Sequence, residues 1–239
     1  MGLSSRTLWT LRHYWADRLG VFPNAFEESR GTVGSAEEGG IQLLFHGDSL
    51  VVGTPDPLLD AAEDRIEAGV SFDTEDGDAV HGWLTRFDGI EQAIGPTFYG
   101  YADRETFTPV ESGARVLTAA DTGAYQAFQR IIPGKEWEQG GTQFTPGETV
   151  GLFVDGELVA VAGFDVWEGL LAHLAVVTHP DHRGHGYGRA VVSQATERAF
   201  ADGLLPQYRT SDAWPWSVAL AQDLGFHRFA TAYLGVYQQ

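Results

Sequence analysis

The run Ala172-His173-Leu174-Ala175-Val176-Val177-Thr178-His179-Pro180-Asp181-His182-Arg183-Gly184-His185-Gly186-Tyr187-Gly188-Arg189 decides how the rest of the chain reads. Residues 172–178 form an apolar stretch suited to a buried strand. Pro180 cannot continue it, because it lacks a donor and restricts the residue before it. From Arg189 to Phe200, residues Ala190, Val191, Gln194, Ala195, Arg198 and Ala199 recur at helical spacing. The order is strand, glycine loop, helix N-terminus.

A loop of this kind leaves backbone N–H groups unpaired at the positive end of a helix dipole, with little side-chain bulk in the way, and so suits an anionic phosphate. A dinucleotide fingerprint places its first glycine at the strand end and an acid at the tip of the next strand. Here five residues separate Thr178 from Gly184, and Asp202, the nearest such acid, falls in a helix-to-strand turn. No Gly-Lys-Ser/Thr of a nucleotide P-loop is present. What remains is arginine, two residues, glycine, one residue, glycine.

With the apolar strand before it, a second strand at 205–210 and Leu224-Gly225-Phe226 after it, this motif resembles the acyl-CoA signature of the GNAT superfamily of N-acetyltransferases. The resemblance covers roughly residues 115–239. It implies an α/β (α+β) acyl-CoA N-acyltransferase fold, a mixed central sheet flanked by helices. The expected order is a strand at 115–117, a helix capped by Thr118 and Asp121 with Tyr125, Phe128, Ile131 and Ile132 as its apolar face, and hairpin strands at 150–154 and 158–164 about Asp155-Gly156. The 172–178 strand, glycine loop, helix, strand, helix and strand follow.

Residues 1–110 precede this as a smaller α/β domain, with 108–114 as linker. Leu8, Leu11, Trp15 and Leu19 mark an amphipathic helix ended by Gly20, and 29–40 is a glycine- and glutamate-rich loop. Residues 41–45 and 49–52 form a hairpin about His46-Gly47-Asp48, 57–68 a helix, 72–78 an acidic loop and 98–107 a strand. This order is similar to the degenerate GNAT-like domain of some two-domain bacterial and archaeal acetyltransferases. It carries no glycine–phosphate loop.

The resemblance implies acetyl-CoA as cosubstrate. Val176, Val177 and Thr178 would offer backbone groups to the pantetheine arm and thioester. Arg183, Gly184, His185, Gly186, Tyr187, Gly188 and Arg189 would hold the pyrophosphate, and a backbone N–H near Val176 would meet the developing oxyanion. An amine nucleophile must lose a proton before attack, and the departing thiolate needs an acid. His173 is the first candidate base, since imidazole titrates near neutral pH; on a regular strand it faces away from Ala172 and Leu174. Glu136 and Glu138 flank Trp137 where the family places acceptor-binding elements, and Glu168 is a weaker candidate. The family's usual tyrosine acid is replaced by Ala221, for which Tyr208 is a substitute. The usual asparagine after the fifth strand is replaced by Trp214. Trp214, Trp216 and Tyr233 are candidates for an acceptor pocket, with core or dimer contacts as the alternative.

Composition bounds the rest. The net charge of −18 argues against nucleic acid. Residues 1–114 carry 20 acidic and 7 basic side chains and residues 115–239 carry 13 and 8, so the acid is concentrated in the first half. Fourteen arginines against one lysine, with this acidity, resemble either proteins of salt-loving archaea or the codon bias of a GC-rich genome. No apolar run approaches the ~20 residues of a membrane span, and 6–18 carries charge in place of a signal core, so a cytoplasmic protein is expected. Without cysteine there are no disulfides, thiolate metal sites or cysteine nucleophiles.

The expected function is transfer of an acetyl group from acetyl-CoA to a primary amine, small molecule or peptide, with the oligomeric state open and a homodimer as the candidate assembly. One alternative is an acyl-CoA-binding sensor without turnover. Another is a metal site of His179, His182 and His185 around Asp181 with His173 upstream, though a proline- and glycine-rich loop aligns histidines poorly and no metal is expected.

Overall fold

The structure is a computed structural model that describes residues 2–36, 39–69 and 77–237. The fold divides into two compact units. The C-terminal unit comprises chiefly residues 100–209 and 219–227, and the N-terminal unit residues 3–99, 210–218 and 228–239. The sequence pattern places the boundary between 110 and 115, with residues 115–239 in one domain. The fold instead returns the chain's end to the N-terminal unit.

In the N-terminal unit, helix α1 (Ser5–Leu19) starts where the Ser4 side chain accepts from the Thr7 N–H, and buries Leu11, Trp15 and Leu19. It stops at Gly20, whose φ of +66° is left-handed and whose N–H returns to Ala16 and Asp17. Strand β1 (Gly31–Ser35) lies within the stretch read as a loop. Glycine hid it: a Cβ at Gly34 would lie 2.3 Å from the Leu19 carbonyl oxygen, so glycine is there for close packing and not for a turn. Strands β2 (Gly40–His46) and β3 (Ser49–Thr54) form the expected hairpin, and β3 also pairs in parallel with β1.

Residues Asp56–Leu58 make a 3-10 turn into α2 (Leu59–Glu67). Of the stretch read as an acidic loop, 72–76 lies outside the described residues, while Gly77 and Asp78 open a helix not foreseen, α3 (Gly77–Leu84). The late strand is β4 (Ile90–Tyr101), earlier and longer than expected. Residues 102–107 are not strand, because Asp103 accepts the N–H groups of Glu105 and Thr106 and turns the chain. The last strand, β10 (His227–Tyr237), pairs antiparallel with β2. Tyr233 packs there among Ile41, Leu43, Val52 and Trp83, which removes it from any acceptor pocket.

The C-terminal unit opens with β5 (Arg115–Val116) and a short 3-10 turn closed by the Thr118–Asp121 capping box. Helix α4 (Thr122–Ile131) buries Tyr125 and Phe128, while Ile131 is exposed. A helix not anticipated, α5 (Gly134–Gly140), carries Glu136, Trp137 and Glu138. Strands β6 (Val150–Val154), β7 (Glu157–Trp167) and β8 (Leu171–Thr178) are antiparallel neighbours. Helix α6 (Tyr187–Ala201) precedes β9 (Leu205–Ser211), parallel to β8, and α7 (Pro215–Asp223) follows. The strand order in this unit is β9-β8-β7-β6-β5.

Val161 and Val177 pack with Tyr125 and Phe128 on the α4 side. A Cβ at Gly188 of α6 would lie 2.9 Å from the Thr178 hydroxyl and 3.9 Å from a Val176 methyl, so even-numbered β8 residues face α6. The sheet is covered on both faces. Leu-Gly-Phe closes the unit for a steric reason: Gly225, at φ +84°, has the Thr106 carbonyl oxygen where its Cβ would be, at 1.9 Å.

Candidate acyl-CoA and acceptor site

Strands β8 and β9 pair only from Leu171↔Leu205 to His173↔Gln207. Beyond that point β8 continues to Thr178 with its other edge held by β7 throughout, and β9 continues to Ser211. The two strands therefore part beside residues 174–178, which frees one backbone edge of β8. At the end of that edge, Pro180–His182 forms a 3-10 turn, and Gly184 (φ +78°) and Gly186 (φ +81°) lead into α6. Gly186 is the N-cap of α6, no side chain caps the helix, and its first turn has no acid. A Cβ at Gly184 would meet nothing within 4 Å, so the left-handed backbone, not crowding, is what asks for glycine. These are the properties of an anion-binding helix start.

Side chains around the loop are tied down. Arg183 pairs with Glu136 of α5, and Arg189 with Asp223 of α7 at 3.3 Å. His185 stacks on Tyr187, with ring centroids 5.5 Å apart. His179 accepts the Asp181 N–H at Nδ1, which leaves the proton on Nε2, 3.7 Å from Glu157; the His182 Nε2 is 3.6 Å from the same carboxylate. The three loop histidines thus do not converge around Asp181. Among the described residues no group of three or more histidine and carboxylate side chains is placed to hold a metal.

The candidate bases fall in different places. The β7–β8 register runs without a break from Leu171 to Thr178, so His173 shares the α4 face with Ala175 and Val177. It is half-buried, its Nδ1 is 3.1 Å from the Gln207 amide oxygen, and its ring stacks on Trp167 at 4.4 Å. Burial, followed by the Arg209 guanidinium, pushes its pKa down to about 4. The expectation of titration near neutral pH is corrected: the imidazole is neutral at pH 7, with an open acceptor function but weak basicity. Glu136 is engaged by Arg183, and Glu138 is exposed on α5. Glu168 sits in the β7–β8 turn at φ +50°. Tyr208 is buried with its ring edge-on to Phe226, and, as the neighbour of Gln207 on a strand, faces away from His173. Ala221 is wholly buried in α7, whereas Trp214 and Trp216 are exposed.

Sequence reading missed Tyr101, Asp165, Trp167, Gln207 and Arg209. Gln207, fully buried, donates to the Tyr101 hydroxyl and meets His173, while Asp165 stands opposite His173 on β7. The alternation Gln207, Arg209 on one face of the strand was available as a signal; Trp167 lay beyond the expected end of β7. A cleft of about 380 Å³ opens on the α4 side, lined by Tyr125, Gln129, Trp137, Thr142, Gln143 and Phe144. Burial raises the Tyr125 pKa to about 12, and its hydroxyl donates to the Thr142 carbonyl.

The parted parallel strand pair and the glycine-capped helix beyond it place an open sheet edge next to a helix N-terminus. Residues 118–226 match the model of the acetyltransferase (GNAT) family. A GCN5-related N-acetyltransferase from Kribbella flavida is similar over 100% of this chain and 97% of its own, at 22% identity and a TM-score of 0.53. The N-terminal unit accordingly folds as a second GNAT-like body.

GNAT-family acetyltransferases from Novosphingobium aromaticivorans (23% identity, TM-score 0.47) and Colwellia psychrerythraea (14%, 0.48) are similar over 62% and 63% of this chain. The matches span 66% and 59% of those proteins' own lengths, under two thirds in each. No curated protein sequence matches the chain. Among the described residues no helix is long and apolar enough to cross a membrane.

Proposed function

We propose that the chain transfers the acetyl group of acetyl-CoA directly to a primary amine. The observation that carries this is the parting of β8 from β9 beyond His173↔Gln207, next to the Gly184–Gly186 loop at the start of α6. In this reading the free edge of Val176, Val177 and Thr178 pairs with the pantetheine arm, and a backbone N–H near Val176 meets the thioester oxygen as it becomes an oxyanion. Backbone N–H groups from Gly184 to Arg189 hold the pyrophosphate.

The amine sheds a proton and its nitrogen attacks the carbonyl carbon; the C–S bond breaks, and the thiolate takes up a proton. His173, or a water it orients, receives the first proton, with Glu138 as the exposed alternative. Glu136 is assigned to holding Arg183. Tyr208, buried and turned away, makes a poor acid, so the thiolate is protonated from solvent. Calorimetric titration with acetyl-CoA at low and molar salt, alongside thiol release over a panel of amines, tests this. Binding with turnover is expected, and absence of binding in either salt refutes it.

The missing tyrosine favours a second reading, an acyl-CoA sensor, which predicts binding without turnover on any amine. The notion of a cytoplasmic protein with a non-catalytic N-terminal domain stands beside this proposal.

A further inference from the structure

The ladder between β8 and β9 ends on the pair His173↔Gln207, and the side chains of these residues are also bonded to each other. Gln207 is wholly buried, so its amide must find its hydrogen-bond partners within the protein. Its Nε2 donates to the hydroxyl of Tyr101, itself wholly buried, and its oxygen lies 3.1 Å from the His173 Nδ1. With the amide nitrogen committed to Tyr101, the group that faces His173 is an acceptor. A neutral imidazole carries a single N–H, and here that N–H belongs on Nδ1. Trp167 stacks on the ring with centroids 4.4 Å and planes 27° apart, which fixes the plane of the ring as the Gln207 oxygen fixes its direction.

We propose that Gln207 is the positioning residue of the site: held by Tyr101, it fixes His173 as the Nδ1–H tautomer and so presents the Nε2 lone pair, on the far side of the ring, as the proton acceptor. This rests on the reading above in which His173 takes the proton of the amine, and it adds which nitrogen does so and what selects it. The N–H bond of the acceptor ammonium breaks, its electron pair stays on the amine nitrogen, and the proton passes to Nε2, directly or through a water. The imidazolium then returns the proton to solvent. An amide orients the ring without a charge, whereas a carboxylate in its place would hold the same tautomer and favour the imidazolium. Burial lowers the proton affinity of the ring most, Arg209 of β9 lowers it further, and the Gln207 bond and Asp165 of β7 raise it by less. The neutral orienter leaves that balance on the side of the free base, so the lone pair is available at neutral pH.

Long-range proton–nitrogen NMR correlation on the isotope-labelled full-length protein at neutral pH reads the tautomer without any acceptor, the His173 signals being identified by their loss in His173→Gln. The Nδ1–H form is expected in the native protein. Gln207→Leu is expected to shift the ring toward the Nε2–H form that an unconstrained histidine favours. With acetyl-CoA and the amine turned over fastest in the panel, Gln207→Leu is expected to lower kcat at least about tenfold, with KM for acetyl-CoA kept within about twofold. Gln207→Glu is expected to retain a kcat above that of Gln207→Leu and to move the acid limb of kcat/KM up by at least about one pH unit, which a merely structural Gln207 gives no reason for. Circular dichroism and thermal melts establish that the variants fold. Should Gln207→Leu fail to fold, the native tautomer and the acid limb of Gln207→Glu decide.

A native Nε2–H tautomer overturns the inference whatever the activity, as does a folded Gln207→Leu that keeps both the native tautomer and kcat. If acetyl-CoA is bound and turned over but His173→Gln is as fast as the native protein, the base reading fails and this inference with it. If acetyl-CoA does not bind, the cosubstrate reading fails, and the tautomer read by NMR still decides whether Gln207 sets the ring.

Discussion

The two units solve the same passage, from strand through proline turn to helix, in different ways. In the N-terminal unit β3 leaves through Pro55 into the Asp56–Leu58 turn, which runs directly into α2. In the C-terminal unit β8 leaves through His179 into Pro180–His182, and then residues 183–186 intervene before α6 begins. Those four residues contain both left-handed glycines of the loop. Both 3-10 turns carry an acid, Asp56 and Asp181, but α2 adds Asp60 in its first turn, which would repel a phosphate, while the first turn of α6 has none. The edges differ as well: β3 is held by β1 on one side and β2 on the other along its length, whereas β8 is released by β9 after three residues. The sheet is therefore paired on both sides of β3 in one unit and open along one edge of β8 in the other.

The sharpest way to break this comparison is to spoil the loop. Gly186→Val forces a β-branched residue to φ +81°, where L-residues are disfavoured, yet a Cβ there meets only the tip of Arg189, at 3.9 Å. Acetyl-CoA affinity is expected to fall at least about a hundredfold, some 2.7 kcal/mol by calorimetry, with the circular dichroism spectrum unchanged. Retained affinity would mean that the glycines only make a turn.

Next in size is the pH behaviour of His173. With its pKa at about 4 in the fold and 6.5 as the ordinary value, the unfolded chain takes up a proton in that interval that the native chain does not. Stability is thus unaffected above about pH 7 and declines as pH falls from 6.5 to 4, by up to about 3 kcal/mol. Denaturant titrations of His173→Gln should show a shallower decline. If His173 is the base, kcat/KM of the native protein holds down to about pH 4, and the variant loses roughly 10²–10⁴-fold at neutral pH. An acid limb shared by both proteins would assign the proton to water or another group.

Glu136→Gln releases Arg183 to the loop. An exposed pair of this kind contributes at most about 1 kcal/mol, so acetyl-CoA affinity should rise no more than about fivefold while kcat is kept. A large loss of kcat would return Glu136 to the acceptor. The smallest effect is expected in the N-terminal unit: Asp56→Asn should leave acetyl-CoA affinity unchanged within twofold, with a stoichiometry of one per chain. A stoichiometry of two would show that the closed sheet also binds.

The sequence alone carried the 172–189 passage, the capping box at Thr118, the β2–β3 and β6–β7 hairpins and the end of α1. In each, the deciding physics is local: proline removes a donor, glycine adopts φ above zero, and apolar residues recur at a fixed period. Strand β1 was illegible because its glycines serve contact with the end of α1, and α5 because six residues after Pro133-Gly134 give too few turns to show a period. The return of β10 to β2 and the parting of β8 from β9 depend on which edges remain unpaired once all strands are placed, which no local window contains. The same holds for His173: its residue type suggests a neutral-pH base, but its proton affinity is set by burial and by Arg209, 36 positions along the chain and adjacent only in the folded sheet.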